Sequence, residues 1–416
     1  MASVKPFRAV RPRPDLADQV ASLPYDVMNR EEAAEMAKGK PYNFLHIGRS
    51  EIDLPEEKDQ YAPDVYKKAR ENFERFMAEG ILRQDETPHF YLYQQTMGER
   101  VQTGLVATVS VDEYLNGEIK RHELTRKVKE IDRINHFDVV DAHTEPVFLT
   151  YRGHAGIAEQ TTSYQAEHEP DCSFVTDDGI RHTVWTIRDE ALTRHIEASF
   201  REVPTLYIAD GHHRSASSAH VGVKRRKEYP DAPADAAFNR FMAVIFPDTD
   251  LKIYDYNRFV SDLNGLSEDQ FLVAVNKSFD VTRLTGNEPF RPKVKGEIGM
   301  YLNHAWYKLT AHDYLSVGKG LSDRLDVSLL QDHVLAPFLG IDDPRTNERI
   351  DFVGGIRGLD ALATRVDEEG GVAFSMYPPT LDDLLCIADD GLIMPPKSTW
   401  FEPKLRSGLF VHRLSD

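Results

Sequence analysis

Cysteine is nearly missing from this 416-residue chain, and its two copies, Cys172 and Cys386, cannot build a disulfide framework and show no metal-ligand spacing. They read as half-buried thiols of a reducing compartment. Long apolar runs are missing as well. The longest, FMAVIF at Phe241–Phe246, falls far short of the roughly 18 residues that a membrane span needs. The opening MASVKPFRAVRPRPD is basic but lacks the apolar stretch of a secretory signal. Positive charge is scarce: 50 Lys and Arg face 68 Asp and Glu, for a net charge of −18. Such a balance repels nucleic acid and anionic lipid, so neither is an expected partner, and the expected location is the cytoplasm. Internal repeats and low-complexity segments are absent. With 41% apolar residues, the chain has the makings of an ordinary core spread over about two or three domains.

What is present is a mixture of helix and strand patterns. Asn29, three residues before Glu32, predicts a capped helix start. Residues 62–82 carry Val65, Ala69, Phe73, Phe76, Met77 and Ile81 on one stripe behind Pro63, an amphipathic helix. HFYLYQQTMGERVQTGLVATVSV predicts two strands about a glycine turn, and FMAVIFPDTDLKIYDYNRFV predicts another hairpin. From Arg181 the order is strand, helix, strand, helix, with TLYIADGHHRSASSAH at the second strand-to-helix turn.

That turn holds the densest chemistry in the sequence. Asp210 stands at the end of a buried strand, and Gly211 lets the chain turn sharply and bring backbone N–H groups close to a ligand. The helix that follows presents unpaired N–H groups and the positive end of its dipole. His212, His213, Arg214 and Ser215 add donors at the same end, while Ala216, Ser217, Ser218 and Ala219 are small enough for close packing behind it. The combination points to an anion, best a phosphate, with Asp210 left to handle a Mg²⁺ ion or a substrate hydroxyl. Two other readings stand beside it: a capped helix with surface histidines, and a zinc site from His212, His213 and His220, for which the spacing and the adjacent arginine are poor.

Three further clusters carry candidates. In RHELTRKVKEIDR, Arg121, His122, Glu123 and Arg133 mix donors and acids at helical spacing, as a solvated salt-bridged helix also would. PPKSTWFEPKL sets Lys397, Ser398, Thr399 and Lys404 on a proline-stiffened loop suited to phosphate or carboxylate capture. LPYDV places Asp26 after an X-Pro turn, as a cap or a catalytic acid.

The stretch ADGHHRSASSA resembles the phosphate-binding turn of the ParB/sulfiredoxin-like superfamily, and Asp-Gly-His-His-Arg is similar to the turn of its free-serine kinases. Over Lys5 to Leu409, the strings KPFRAVRP, LPYDV, FLHIGRSEIDLP, RHELT, KEIDR, TEPVFLTY, DGHHR, LDVSLLQ and MPPKSTWFEPKLRSGL together resemble domain-of-unknown-function family 1015. The resemblance implies an α+β fold: a ParB/sulfiredoxin-like nucleotide-binding core with large insertions over residues 1–237, and a C-terminal α/β extension over 238–416. It further implies ATP or ADP with Mg²⁺, and phosphoryl transfer to a small hydroxyl-bearing metabolite such as free L-serine. Only Asp210, Gly211, His212, His213 and Arg214 match the kinase turn directly. The kinases draw a catalytic glutamate from an N-terminal segment, for which Asp26, Glu31 and Glu32 are the candidates here. Asp210, His213, Asp26 and Glu123 are the expected catalytic groups, with Asp210 also the expected metal ligand. Gly211, His212, Arg214, Ser215, Lys397, Ser398 and Thr399 are the expected phosphate binders, and Arg121, His122 and Arg133 the groups that neutralise charge or hold substrate. A nucleotide-binding regulator without robust catalysis and a phosphatase-like hydrolase are the alternatives. The sequence sets no oligomeric state.

Overall fold

A computed structural model describes residues 1–286, 288–355 and 358–415. The chain forms two compact units: Met1–Arg121 with Thr125–Leu251 and the segment from Pro403 to the C-terminus, and His122–Leu124 with Lys252–Glu402.

The first unit is built on a nine-stranded mixed sheet. Its elements in chain order are β1 (Val4–Lys5), α1 (Arg30–Ala37), α2 (Pro63–Ala78), β2 (Phe90–Met97), β3 (Arg100–Ser110), β4 (Ile119–Lys120), α3 (Lys127–Val140), β5 (Val147–Tyr151), β6 (Cys172–Val175), β7 (Arg181–Ile187), α4 (Glu190–Phe200), β8 (Leu206–Asp210), α5 (His212–Glu228) and β9 (Arg240–Pro247). The strands run in the order β4-β8-β5-β9-β3-β2-β7-β6, with β1 alongside β3. β8 is parallel to β4 and β9 is parallel to β5; the other pairs are antiparallel. Alternate residues Leu92, Leu105, Ala107, Leu149, Ile208, Ala243 and Ile245 share one buried face with Ile196 and Phe200 of α4. Tyr91, Tyr93, Val106, Phe148, Val244 and Phe246, out of phase with them, are buried too, so both faces of the central strands are covered.

Local signals hold where chemistry is local. Asn29 and Glu32 form a reciprocal capping box at the start of α1. In α2, Pro63 opens the helix, and Val65, Ala69, Phe73 and Phe76 are buried. The expected hairpin over 241–260 does not form. β9 pairs with β3 and β5, whereas Tyr256–Val260 pairs with strands of the other unit's sheet. The strand pattern was right, but pattern carries no information about the partner. Nor is 121–133 a solvated helix: α3 starts only at Lys127, and its Asp132, Arg133 and His136 are buried.

The second unit carries a six-stranded antiparallel sheet. Its elements are β10 (Tyr256–Val260), α6 (Glu268–Val275), β11 (Phe279–Arg283), β12 (Glu297–Leu302), β13 (Ala305–Ala311), α7 (Asp326–Leu330), β14 (Ile350–Gly354), α8 (Asp360–Glu369), β15 (Val372–Met376) and α9 (Leu381–Asp389), with strand order β11-β13-β12-β15-β10-β14. Leu362 and Val366 of α8 pack on Phe259, Tyr301, Trp306 and Ala373 to make its core. Among the described residues, no helix is long and apolar enough to cross a membrane.

Candidate functional site around the Asp-Gly-His-His-Arg turn

β8 delivers Asp210 to its end with an irregular step. Tyr207 pairs with Thr150 and Ile208 with Leu149, but Asp210, not Ala209, pairs with Phe148. One extra residue in β8 makes a bulge of the kind that re-aims a side chain beside a site. Gly211 follows at φ +91°, a left-handed conformation, and precedes α5 with no side-chain cap. A Cβ at this position would lie 3.0 Å from Nε and 3.1 Å from Cζ of Arg214. Glycine is therefore required twice: by the backbone, and by the guanidinium folded beneath it. Ser215 turns inward, its backbone N–H and its hydroxyl both donating to the Gly211 carbonyl at 2.9 and 3.1 Å.

The carboxylate of Asp210 sits among cations. Oδ1 accepts the Gly211 N–H at 2.9 Å, and Oδ2 lies 3.5 Å from Nη2 of Arg214 and 3.5 Å from Nζ of Lys404. Burial works against its charge, but Lys404, Arg214, His212 and the Gly211 N–H together hold the carboxyl well below the usual range. Arg214 is only 2% exposed, and Nη1 donates to the Pro146 carbonyl. Burial pulls its pKa down, while Asp26, Asp210 and Glu145 pull it up and prevail. The guanidinium thus lies under the turn as a counter-charge instead of reaching outward as a bidentate phosphate ligand.

His213 accepts the Arg126 N–H at Nε2, at 2.8 Å, so its proton sits on Nδ1. Burial lowers its pKa, and with the Nε2 acceptor this makes it a neutral imidazole; Asp26 opposes the shift. His220 pairs with Glu130 at 2.8 Å. With His213 and His220 each engaged elsewhere, the zinc reading has no support in the geometry. Magnesium fares little better at Asp210 itself. One oxygen is taken by an N–H and the other faces two cations, whereas Mg²⁺ wants open oxygen ligands.

A polar layer continues below the turn. Glu145 is buried, and among the described residues its carboxylate oxygens, Nη1 of Arg133 and Nε of Arg214 lack partners at good hydrogen-bond geometry, although the Tyr25 backbone N–H lies close enough to favour the Glu145 anion. Burial pushes the Glu145 carboxyl up to about 7, against the pull of Arg133 and Arg214. Arg133 donates to Asp132 at 3.0 Å and lies 3.9 Å above the Tyr25 ring. Tyr25 is followed by Asp26, whose exposed carboxylate is within electrostatic reach of Arg214 and His213.

Of the expected residues, the first unit brings together Asp26, Arg133, Asp210, Gly211, His212, His213, Arg214 and Ser215. Among the three N-terminal acids, Glu32 is occupied in the capping box and Glu31 belongs to α1, which leaves Asp26 as the one facing the turn. Arg121 lies beside the Tyr114 hydroxyl instead. Lys397, Ser398, Thr399, His122 and Glu123 belong to the second unit. There Ser398 donates to the Pro395 carbonyl, Thr399 approaches His122 at 3.4 Å, and Nζ of Lys397 lies 5.5 Å from the Tyr256 ring centroid. Two site members were missing from the expected roles: Lys404, named from the sequence only as part of the PPKSTWFEPKL loop, lies at Asp210, and Glu145 underlies the turn. Both were visible inside recognisable strings, FEPKL and TEPVFLTY, and a buried TEP glutamate ahead of a strand was the signal available.

Several solved structures are similar to the chain at low identity. They include a free serine kinase in complex with AMP (14% identity, TM-score 0.36, covering 71% of this chain and 86% of that one). A conserved hypothetical protein from Pyrococcus furiosus is similar at 15% identity and TM-score 0.36, over 73% of this chain and 91% of that one. SbnI with a C-terminal truncation, from Staphylococcus aureus, is similar at 11% identity and TM-score 0.39, over 73% and 85%. No curated protein matches the sequence. The model of the DUF1015 family, described as proteins of unknown function, matches residues 4–328, and the chain belongs to that family.

Proposed function

We propose that the protein is a nucleotide-dependent phosphotransferase that uses ATP or ADP and acts on the hydroxyl of a small metabolite, with free L-serine the first acceptor to test. The observation that carries this reading is the ionised Asp210 held between Lys404 and Arg214 at the uncapped start of the 17-residue helix α5. An uncapped helix start and a lysine ammonium favour a phosphate group. Phosphoryl transfer asks mainly for positioning and for charge stabilisation, which such a ring of donors supplies.

In this reading the amides at the start of α5 and the Lys404 ammonium receive the phosphate, with His212 beside them. Arg214 acts from below as a positioning residue that keeps Asp210 charged and the turn closed. Asp210, strongly stabilised as the anion, is a poor proton acceptor and serves to orient the acceptor hydroxyl. Asp26 is exposed and opposite, and is the better candidate to take the hydroxyl proton. Magnesium enters bound to the nucleotide phosphates and is not resident on Asp210. A ParB/sulfiredoxin-like core remains the fold expectation that goes with this chemistry.

The test is thermal stability with millimolar ADP or ATP, followed by ³¹P NMR with and without L-serine. A rise in melting temperature and a new phosphomonoester signal that depends on the acceptor are expected. Absence of any stabilisation by either nucleotide sinks the reading. Phosphate release independent of acceptor would favour the hydrolase, and binding without turnover the regulator.

A further inference from the structure

The second unit contains a cavity of about 850 Å³ beside the start of β12, within the size range of small-molecule sites. Leu321, Leu325 and Leu329 supply apolar wall. Asp326 lines the same space although it is only 6% exposed. Oδ1 accepts the Gly296 N–H at 2.8 Å. Its other oxygen has no hydrogen-bond or ion-pair partner among the described residues.

The remaining charges around the cavity narrow the chemistry of an occupant. Lys295 is tied to Asp383 at 2.7 Å, Lys308 is tied to Glu297, and His312 is 3.2 Å from Asp280. The cations closest to Asp326 are therefore spent on carboxylates, and the remaining lining cation, Arg324, is solvent-exposed, so an anionic ligand would find no buried cation beside Asp326. One open carboxylate oxygen is too few for a divalent cation that collects six or more oxygen ligands. It suits a single N–H donor that carries its own positive charge.

We propose that this cavity is a binding site for a small protonated amine with an apolar tail, anchored by the open oxygen of Asp326. The amine supplies the hydrogen bond and the charge that the carboxylate lacks, and the tail covers the leucine wall. An unpaired buried carboxyl is costly to keep. Burial, reinforced by Asp383 and Glu297 against the Gly296 N–H and Lys295, pushes this one up to about 7, and an arriving cation reverses that push. The site lies wholly in the second unit and does not depend on the Asp-Gly-His-His-Arg turn, so failure to bind nucleotide leaves it untouched.

The experiment titrates the full-length chain with n-butylamine and with its uncharged counterpart n-butanol, above pH 7, by saturation-transfer NMR. Binding of the amine and at least about tenfold weaker binding of the alcohol are expected, the usual margin for a charge-assisted hydrogen bond. Asp326→Asn keeps an acceptor for the Gly296 N–H and should weaken the amine by about tenfold or more. Leu321→Trp leaves Asp326 in place but fills the cavity, and should abolish binding. Equal binding of amine and alcohol, no amine binding at all, or full amine binding retained by either folded variant overturns the proposal.

Discussion

Asp210 in the first unit and Asp326 in the second face the same problem and solve it in opposite ways. Each stands where a connection enters a helix, each uses one carboxylate oxygen to accept a glycine N–H, and burial works against the charge of each. Asp210 has Lys404 and Arg214 both at 3.5 Å and stays ionised well below the usual range. Asp326 has the acids Asp383 and Glu297 nearby, whose lysines are already engaged, and its carboxyl rises to about 7. Burial pushes both carboxyls up, and the presence or absence of close cations decides whether that push prevails. In the two proposals, one carboxylate orients a reacting group and the other takes its counter-charge from a ligand.

The strongest way to break this contrast is to remove the cation under Asp210. Arg214→Ala strips a buried counter-charge from Asp210, Asp26 and Glu145 together and opens a void below Gly211. A loss of about 3–5 kcal/mol in urea unfolding is expected, the range for breaking a buried charge pair. Arg214→Lys should recover only part of it, since a lysine cannot reach both the Pro146 carbonyl and Asp210 in the same fork. Wild-type stability in the alanine variant would mean that the guanidinium does not hold the turn.

A smaller effect comes from neutralising the acid. Because the folded pKa of Asp210 is depressed, its contribution to stability is present above the ordinary carboxylate range and is lost as pH falls through the lower folded value. Asp210→Asn should therefore destabilise by about 1.5–3 kcal/mol at neutral pH and by less in acid. If the proposed function is right, ADP binding survives better than turnover. Unchanged turnover in the asparagine variant would remove Asp210 from the reaction.

The contrast also shows what a sequence can disclose. Helix α2 was legible because proline at its first turn and a 3.6-residue apolar stripe are local facts. The turn was legible because its residue types need no distant partner to declare their chemistry. Partner choice was not legible. Lys397 and Lys404 lie seven positions apart on one stiff loop, yet Lys404 belongs to the first unit and lies at Asp210 while Lys397 belongs to the second. Asp132 and Arg133 look like surface charges until the fold supplies Tyr66, Tyr25 and Glu145 around them. Arg214 likewise looks like a ligand-facing group, and its folding beneath Gly211 is visible only with the helix in place.

The smallest expected effect sharpens the comparison by reversing its sign. The folded pKa of Asp326 is raised, so between about pH 4 and about pH 7 the native state holds a proton that the unfolded chain has released. Stability from this group is full below the ordinary carboxylate value and is withdrawn as pH climbs through about 7, the opposite of Asp210. The slope should amount to about 1 kcal/mol across that window, less than burial alone would give, because the cavity beside Asp326 is large enough to admit water. Asp326→Asn keeps the Gly296 hydrogen bond but cannot titrate, so its urea midpoints should flatten over the same range while Asp210→Asn leaves that segment of the profile in place. An unchanged slope in Asp326→Asn would mean that Asp326 is ionised in the folded state across this window, with Lys295 reaching it after all.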